Sequence, residues 1–188
     1  MKVDVAVIGG GVSGLSAALF TGHAGLKTIV FDTGKSQVKG ITSFRNILGA
    51  PGISGNQLIE QYQEQVKDYV DLFQVKVDAL ERNGEGFVIH ANGKSFEATH
   101  VVIATNIEYD LLESLGLEIE INENIKSGKI KKVVGVNWEG ITPIPHLYIS
   151  GLLSGIPSQV MIAAGQGAAV GVRITQDATG DKYMWHDK

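Results

Sequence analysis

The stretch VDVAVIGGGVSGLSAALF, residues 3–20, decides the fold. A hydrophobic strand over 3–8 breaks into three consecutive glycines and resumes as a helix of small and apolar residues, expected over 15–24. Gly9, Gly11 and Gly14 stand at GxGxxG spacing. The first permits a tight turn, the second lets backbone approach a pyrophosphate, and the third lets the helix pack closely on the strand. The helix N-terminus then offers unpaired amides and the positive end of its dipole to phosphate. Further out, a turn at Gly25 leads into KTIVFD, residues 27–32, a second apolar strand that completes a βαβ unit of a parallel sheet. It ends in Asp32, 18 residues after Gly14. A carboxylate there accepts hydrogen bonds from both adenosine ribose hydroxyls and repels a 2′-phosphate, so the expected nucleotide is of the FAD or NAD type and not NADP.

The remaining chain continues the alternation. A loop rich in Gly, Ser, Lys and Asn runs to Gly55, and a helix follows, with Ser54 and Gln57 in capping-box register. Leu58, Ile59, Tyr62, Val66, Tyr69 and Val70 recur in it at helical spacing. From Phe73 the period changes: FQVKVDAL, GFVIHA and KSFEA are separated by Asn83-Gly84 and Asn92-Gly93, which predicts a small antiparallel meander. THVVIATN, residues 99–106, is a further apolar strand; 108–128 is polar and mixed; strands are expected near 129–137 and 147–150. Pro157 starts an Ala- and Gly-rich helix over 158–175, in which Gly165, Gly167 and Gly171 favour close packing of helix on sheet. One α/β domain is expected over residues 1–180, with 181–188 as a tail that frays or docks on another subunit.

Composition bounds the function. The chain is 44% hydrophobic and 19% charged, with a net charge of -4, so neither nucleic acid nor an anionic membrane is an expected partner. The absence of cysteine removes thiolate catalysis, disulfides, iron–sulfur ligation and most structural zinc sites. No run is long enough to span a bilayer and no signal-peptide core follows Met1, so a soluble cytoplasmic protein is expected. His23, His90, His100, His146 and His186 lack paired spacing and are expected as surface or satisfied-core residues. Trp138 and Trp185 are expected in packing or at an interface. Spacing assembles no catalytic constellation and no metal site.

Four stretches together resemble the FAD-binding domain of the flavoprotein pyridine nucleotide-disulfide oxidoreductases, in the thioredoxin reductase branch. They are VIGGGVSGLSAALF with Asp32, FRNILGAPGISG (44–55), THVVIATN, and IPHLYISG (144–151) continued by PSQVMIAAGQGAAVGVRI (157–174). The resemblance implies a Rossmann-like FAD-binding domain, a parallel sheet with helices plus an antiparallel β-meander, and an extended FAD. It implies that Gly9, Gly11, Ser13 and Gly14 hold the pyrophosphate and that Asp32 holds the adenosine ribose. Backbone at Val77 would lie near the adenine, and Asn46, with Arg45 beside it, would approach the flavin or its ribityl chain. Ala104 and Thr105 would line the pyrophosphate side, Gly151 would close the last strand against the cofactor, and Gln159 and Val160 would present amides to the pyrimidine edge of the isoalloxazine. A helix N-terminus there stabilises negative charge on the reduced flavin. The resemblance also implies a homodimer.

Three departures narrow the function. The branch carries a redox-active cysteine pair, absent here, so these residues cannot exchange dithiol for disulfide. The branch inserts an NADPH domain before the closing strand, whereas here residues 107–150 form only a bypass without a second glycine fingerprint. Where the branch has an aspartate for a ribityl hydroxyl stands Leu152, and Asn106 replaces the glycine after Ala104-Thr105. The expected function is a single-domain FAD flavoprotein, an oxidoreductase or electron-transfer component that depends on a separate reductase or other partner for electrons. The alternative is a non-catalytic nucleotide-binding or regulatory module that keeps the fold.

Overall fold

The computed structural model describes residues 1–186. β1 (Lys2–Ile8), α1 (Val12–His23) and β2 (Thr28–Phe31) form the expected βαβ unit, with β1 and β2 parallel. The helix begins at Val12 rather than at 15, because Gly11 takes the extended cap conformation directly behind the turn. α2 (Gly55–Val66) carries the capping box: Ser54 Oγ accepts from the Gln57 amide at 3.3 Å, and Gln57 Oε1 accepts from the Ser54 amide at 3.0 Å. Val70, expected on this helix, instead opens β3 (Val70–Phe73), which pairs parallel with β2. Its buried side chain joins the sheet, and that pairing overrides the helical spacing.

β4 (Val77–Asn83), β5 (Gly86–Ala91) and β6 (Lys94–Ile103) make the meander, and the sheet runs β3-β2-β1-β6-β5-β4. KSFEA and THVVI, expected as two strands, are one: β6 pairs antiparallel with β5 through Lys94–Ala98 and parallel with β1 from Glu97 to Ile103. Its last residues also pair with β9 (Leu147–Ile149). The bypass between them holds α3 (Asp110–Ser114) and the hairpin β7 (Ile119–Ile121) and β8 (Lys131–Val133). A 3₁₀ turn, Gly151–Ser154, then leads to α4 (Val160–Thr179).

Both faces of the parallel strands are buried, which is why they are almost wholly apolar. Val5, Val7, Val30 and Val102 face α1 and α4 with Leu15, Val170 and Ile174. Ala6, Ile8, Ile29, Phe31, Val101 and Ile103 face the meander and the bypass, where Leu112 and Val133 pack. Glycines let the helices close up: a β-carbon on Gly14 would overlap the Gly9 carbonyl oxygen, and one on Gly167 would overlap the Ser13 carbonyl oxygen. No helix among the described residues is long and apolar enough to cross a membrane.

Two regions differ from expectation at the far end of the sheet. His100 is buried, and its Nδ1 has no hydrogen-bond partner, so it is not a satisfied-core histidine. Its ring meets that of His146 edge-on at 4.7 Å, and Tyr148, Asp177 and Asp4 complete the surroundings. Burial, reinforced by His146, pushes its pKa down to about 4. The folded state therefore takes up this proton later than the unfolded chain. Stability is full above about pH 6.5 and falls as pH drops from there towards 4. Urea denaturation at pH 7 and pH 5 is expected to differ by about 2 kcal/mol, and His100→Leu to remove that slope. The tail docks on its own chain: Trp185 stacks on His23 at 3.6 Å, and Tyr183 Oη lies 2.7 Å from His23 Nδ1. The last two tail residues, 187 and 188, lie outside the described residues.

Candidate functional site

A cleft of about 580 Å³ opens outside the carboxyl ends of β1, β2, β6 and β9, where ligands bind in open α/β sheets. At one end lies Asp32, directly after β2. It is buried, and its Oδ1 accepts from the Gly10 amide at 3.3 Å, so the glycine turn and the carboxylate are tied together. Gly9, at φ +112°, could not be replaced by a residue with a side chain: a β-carbon would overlap the Ala104 carbonyl oxygen. The Ala104 amide in turn donates to the Ile8 carbonyl at 2.8 Å. Gly11, by contrast, faces open space, with only Ser36 Oγ near the place its β-carbon would take.

Two long helices aim their N-termini into this cleft, α1 through Gly11 to Ser13 and α4 through Gln159 and Val160. Neither has a side-chain cap or an acidic residue in its first turn, so first-turn amides and the positive dipole ends are left free for a ligand. The amide of Gln159, expected to face the flavin, is not among them: it donates to the Pro157 carbonyl at 2.9 Å, because the chain turns tightly after Pro157, and the free amides of α4 begin at Val160. Across the mouth, Asn46 Nδ2 donates to Gln159 Oε1 at 2.8 Å, joining the 41–53 loop to the start of α4.

Of the residues expected at the cofactor, Gly9, Gly11, Ser13, Asp32, Asn46, Val77, Ala104, Thr105, Gly151, Gln159 and Val160 all line the cleft. Two do not. Gly14 lies behind it, packed on the Gly9 carbonyl oxygen as the crossing point of α1 and β1. Arg45 is exposed, and its neighbours Phe44 and Asn46 take the inward positions. Thr33, Lys35 and Ser36 line the cleft without having been expected, and the only signal was their place in the polar loop after Asp32. Leu152 lines it too, with an apolar side chain where a carboxylate was absent from the sequence. Asn106 takes the left-handed conformation at φ +67°, as required of a residue in place of glycine, and its Oδ1 is buried without a partner. Gly167 and Gly171, expected to let α4 pack on the sheet, instead let it close on α1, since a β-carbon on either would overlap α1 backbone, whereas one on Gly165 would meet nothing.

A cleft with a buried carboxylate at one end, free helix amides in the middle and an unpaired acceptor in its lining fits an extended dinucleotide. No group of three or more metal-ligating side chains occurs among the described residues.

The pyridine nucleotide-disulphide oxidoreductase family matches residues 3–132. The thioredoxin reductase of Helicobacter pylori is 35% identical over 109 residues, 55% of this chain and 35% of that protein. Ferredoxin–NADP reductase 3 of Lysinibacillus sphaericus is 34% identical over 110 residues, 54% of this chain and 31% of that protein. The chain thus spans about a third of the length of the curated relatives it matches. Among solved structures, an oxidoreductase from Agrobacterium tumefaciens superimposes with a TM-score of 0.84 at 14% identity, over 95% of this chain and 99% of that one, a likeness of fold. The family consists of flavin-dependent oxidoreductases whose cofactor is FAD, which the cleft fits. By sequence along most of its length, and by a fold that puts the glycine turn and Asp32 at one cleft, this chain belongs to the pyridine nucleotide-disulphide oxidoreductase family.

Proposed function

We propose that this chain binds one FAD in extended form and works as a flavoprotein oxidoreductase or electron-transfer component. In this reading its electrons are delivered and removed by other molecules. The observation that carries it is the convergence of Asp32 and two uncapped helix N-termini on a single cleft. Asp32 accepts from the adenosine ribose hydroxyls, and the amides of Gly11 to Ser13 face the pyrophosphate. Backbone at Val77 borders the adenine, while Ala104 and Thr105 wall the pyrophosphate side. Asn46, Gln159 and the amide of Val160 meet the flavin end, where the α4 dipole favours the charge of the reduced ring. FAD, when bound, supplies the site where electrons are held; the protein supplies its binding, orientation and electrostatics. Without cysteine, these residues have no dithiol of their own to reduce.

A partner reductase, a homodimer and a cytoplasmic setting belong to the same reading; the resemblance implies the homodimer, and the short bypass without a second glycine fingerprint supports the partner. A second reading, a non-catalytic nucleotide module, is favoured by Leu152, which leaves the cleft without a carboxylate at that point.

The visible absorption spectrum of the purified protein separates these readings, followed by anaerobic NADH or NADPH with and without a candidate reductase. Flavin bands that bleach with a donor are the expected result. Protein that stays colourless with added FAD overturns the flavoprotein reading and leaves the module with NAD or ADP as its ligand, and flavin bands that no donor bleaches favour the module.

A further inference from the structure

We infer that the bypass positions the cofactor-facing turn after β9 through Asn122, and that this residue sets FAD affinity without touching the cofactor. The inference rests on the FAD reading above. Asn122 lies just after β7, is fully buried, and does not line the cleft. Its Nδ2 donates to the Leu152 carbonyl at 3.2 Å and lies 3.5 Å from the Ile156 carbonyl, while its Oδ1 accepts from the Asn124 amide at 3.0 Å. Asn124 Nδ2 adds a third bond to the same turn, to the Gly155 carbonyl at 2.7 Å. The backbone of Asn122 is itself fixed, its amide donating to the Ile130 carbonyl at 2.7 Å.

The turn is gripped equally from the other side. Gln166 of α4, also fully buried, accepts from the Gly151 amide at 2.8 Å and from Ser150 Oγ at 3.0 Å. Its Nε2 donates to the Ile149 and Trp138 carbonyls, each at 3.3 Å. Between these grips run Gly151 and Leu152, which face the cleft, with Gly151 at φ +77° and close against Ser13 Oγ. The same segment leads through Pro157 to the N-terminus of α4.

The chemistry favours positioning over mere filling. A buried amide is costly unless its hydrogen bonds are met, and an apolar residue would fill the same volume at lower cost. What the amides add is direction: the carbonyls of residues 152, 155 and 156 are held by the bypass, which fixes the turn in one backbone conformation beside the cofactor. A stretch too short to be a second domain thereby finishes the first domain's cleft.

The test compares binding of FAD and of ADP, which lacks the flavin and ribityl parts, by titration calorimetry, with a thermal melt of each protein. Asn122→Leu is the direct variant, and Asn124→Ala, at an exposed residue, stays folded if the first does not. The expected result is a roughly three- to tenfold loss of FAD affinity in each, with ADP affinity unchanged. Parallel losses of FAD and ADP, or an unchanged FAD affinity, overturn the inference. Wild-type protein that binds ADP but not FAD overturns the flavin reading itself, and the inference falls with it.

Discussion

Gly14→Ala is expected to melt roughly 6–12 °C below the parent. The β-carbon of alanine at this position would overlap the Gly9 carbonyl oxygen, which is backbone and cannot swing aside. Relief requires α1 to move off β1. That movement opens the contacts of Leu15 and Ala18 with Val5 and Val7, all of them fully buried. Overpacking of this kind costs about 1–3 kcal/mol, and at a backbone-to-backbone crossing the upper end applies. Differential scanning calorimetry on the apo protein measures it directly. Gly165→Ala serves as the control: its β-carbon meets nothing, alanine is the better helix former, and the melting temperature is expected to hold or rise. Equal behaviour of the two variants would contradict the crossing described here.

Asp32→Ala is expected to weaken ADP and FAD together by roughly tenfold to a hundredfold, the worth of about 1.5–3 kcal/mol for hydrogen bonds to a charged group. The loss has two sources. The ribose hydroxyls lose their acceptor, and the Gly10 amide loses the partner that keeps the phosphate turn in place. Asp32→Asn keeps an oxygen for Gly10 but not the charge, and is expected to fall between the two. Removing the charge also lifts the repulsion of a 2′-phosphate, so the ratio of affinities for 2′-phospho-ADP and ADP rises in both variants. Calorimetric titration with the two nucleotides gives that ratio; a ratio that does not move would place the ribose elsewhere.

Much of this structure was legible in the sequence because its signals are local. The glycine turn, the Ser54–Gln57 cap and the Asn92-Gly93 turn each act over a few residues, and each stands where it was expected, whereas the other hairpin turns one residue late, at Gly84-Glu85, because Asn83 still pairs with Gly86. β3 was not legible: Tyr62, Val66, Tyr69 and Val70 keep helical spacing, and only the partner strand β2 decides that Val70 leaves the helix. The bypass was hidden for a related reason. Its elements are too short to show a period, and they are ordered by Leu112 and Val133 packing against a distant sheet. At the site, the glycines and Asp32 could be found because the phosphate turn is a contiguous motif. Arg45 could not be told from Asn46 in a loop without a period, and Ser36 had no motif to mark it. Asn122 is the extreme case: a buried asparagine inside a polar run looks like every exposed one until the carbonyls around it are known. His100 was missed likewise, since its neighbour His146 comes from the other end of the bypass.

The sharing of β6 between the meander and the parallel sheet has a consequence in time. β1 is synthesised well before β6, and one of its edges stays bare until Glu97–Ile103 exists to pair with it. Until then the apolar row from Val3 to Ile8 is an open template for other chains, and its closure is a slow, non-local step. The turn at Gly9 waits as well, because its far wall is the Ala104 carbonyl at the end of that late strand. The glycines of the phosphate turn precede β6 in the chain, yet they form a cradle only once β6 has paired.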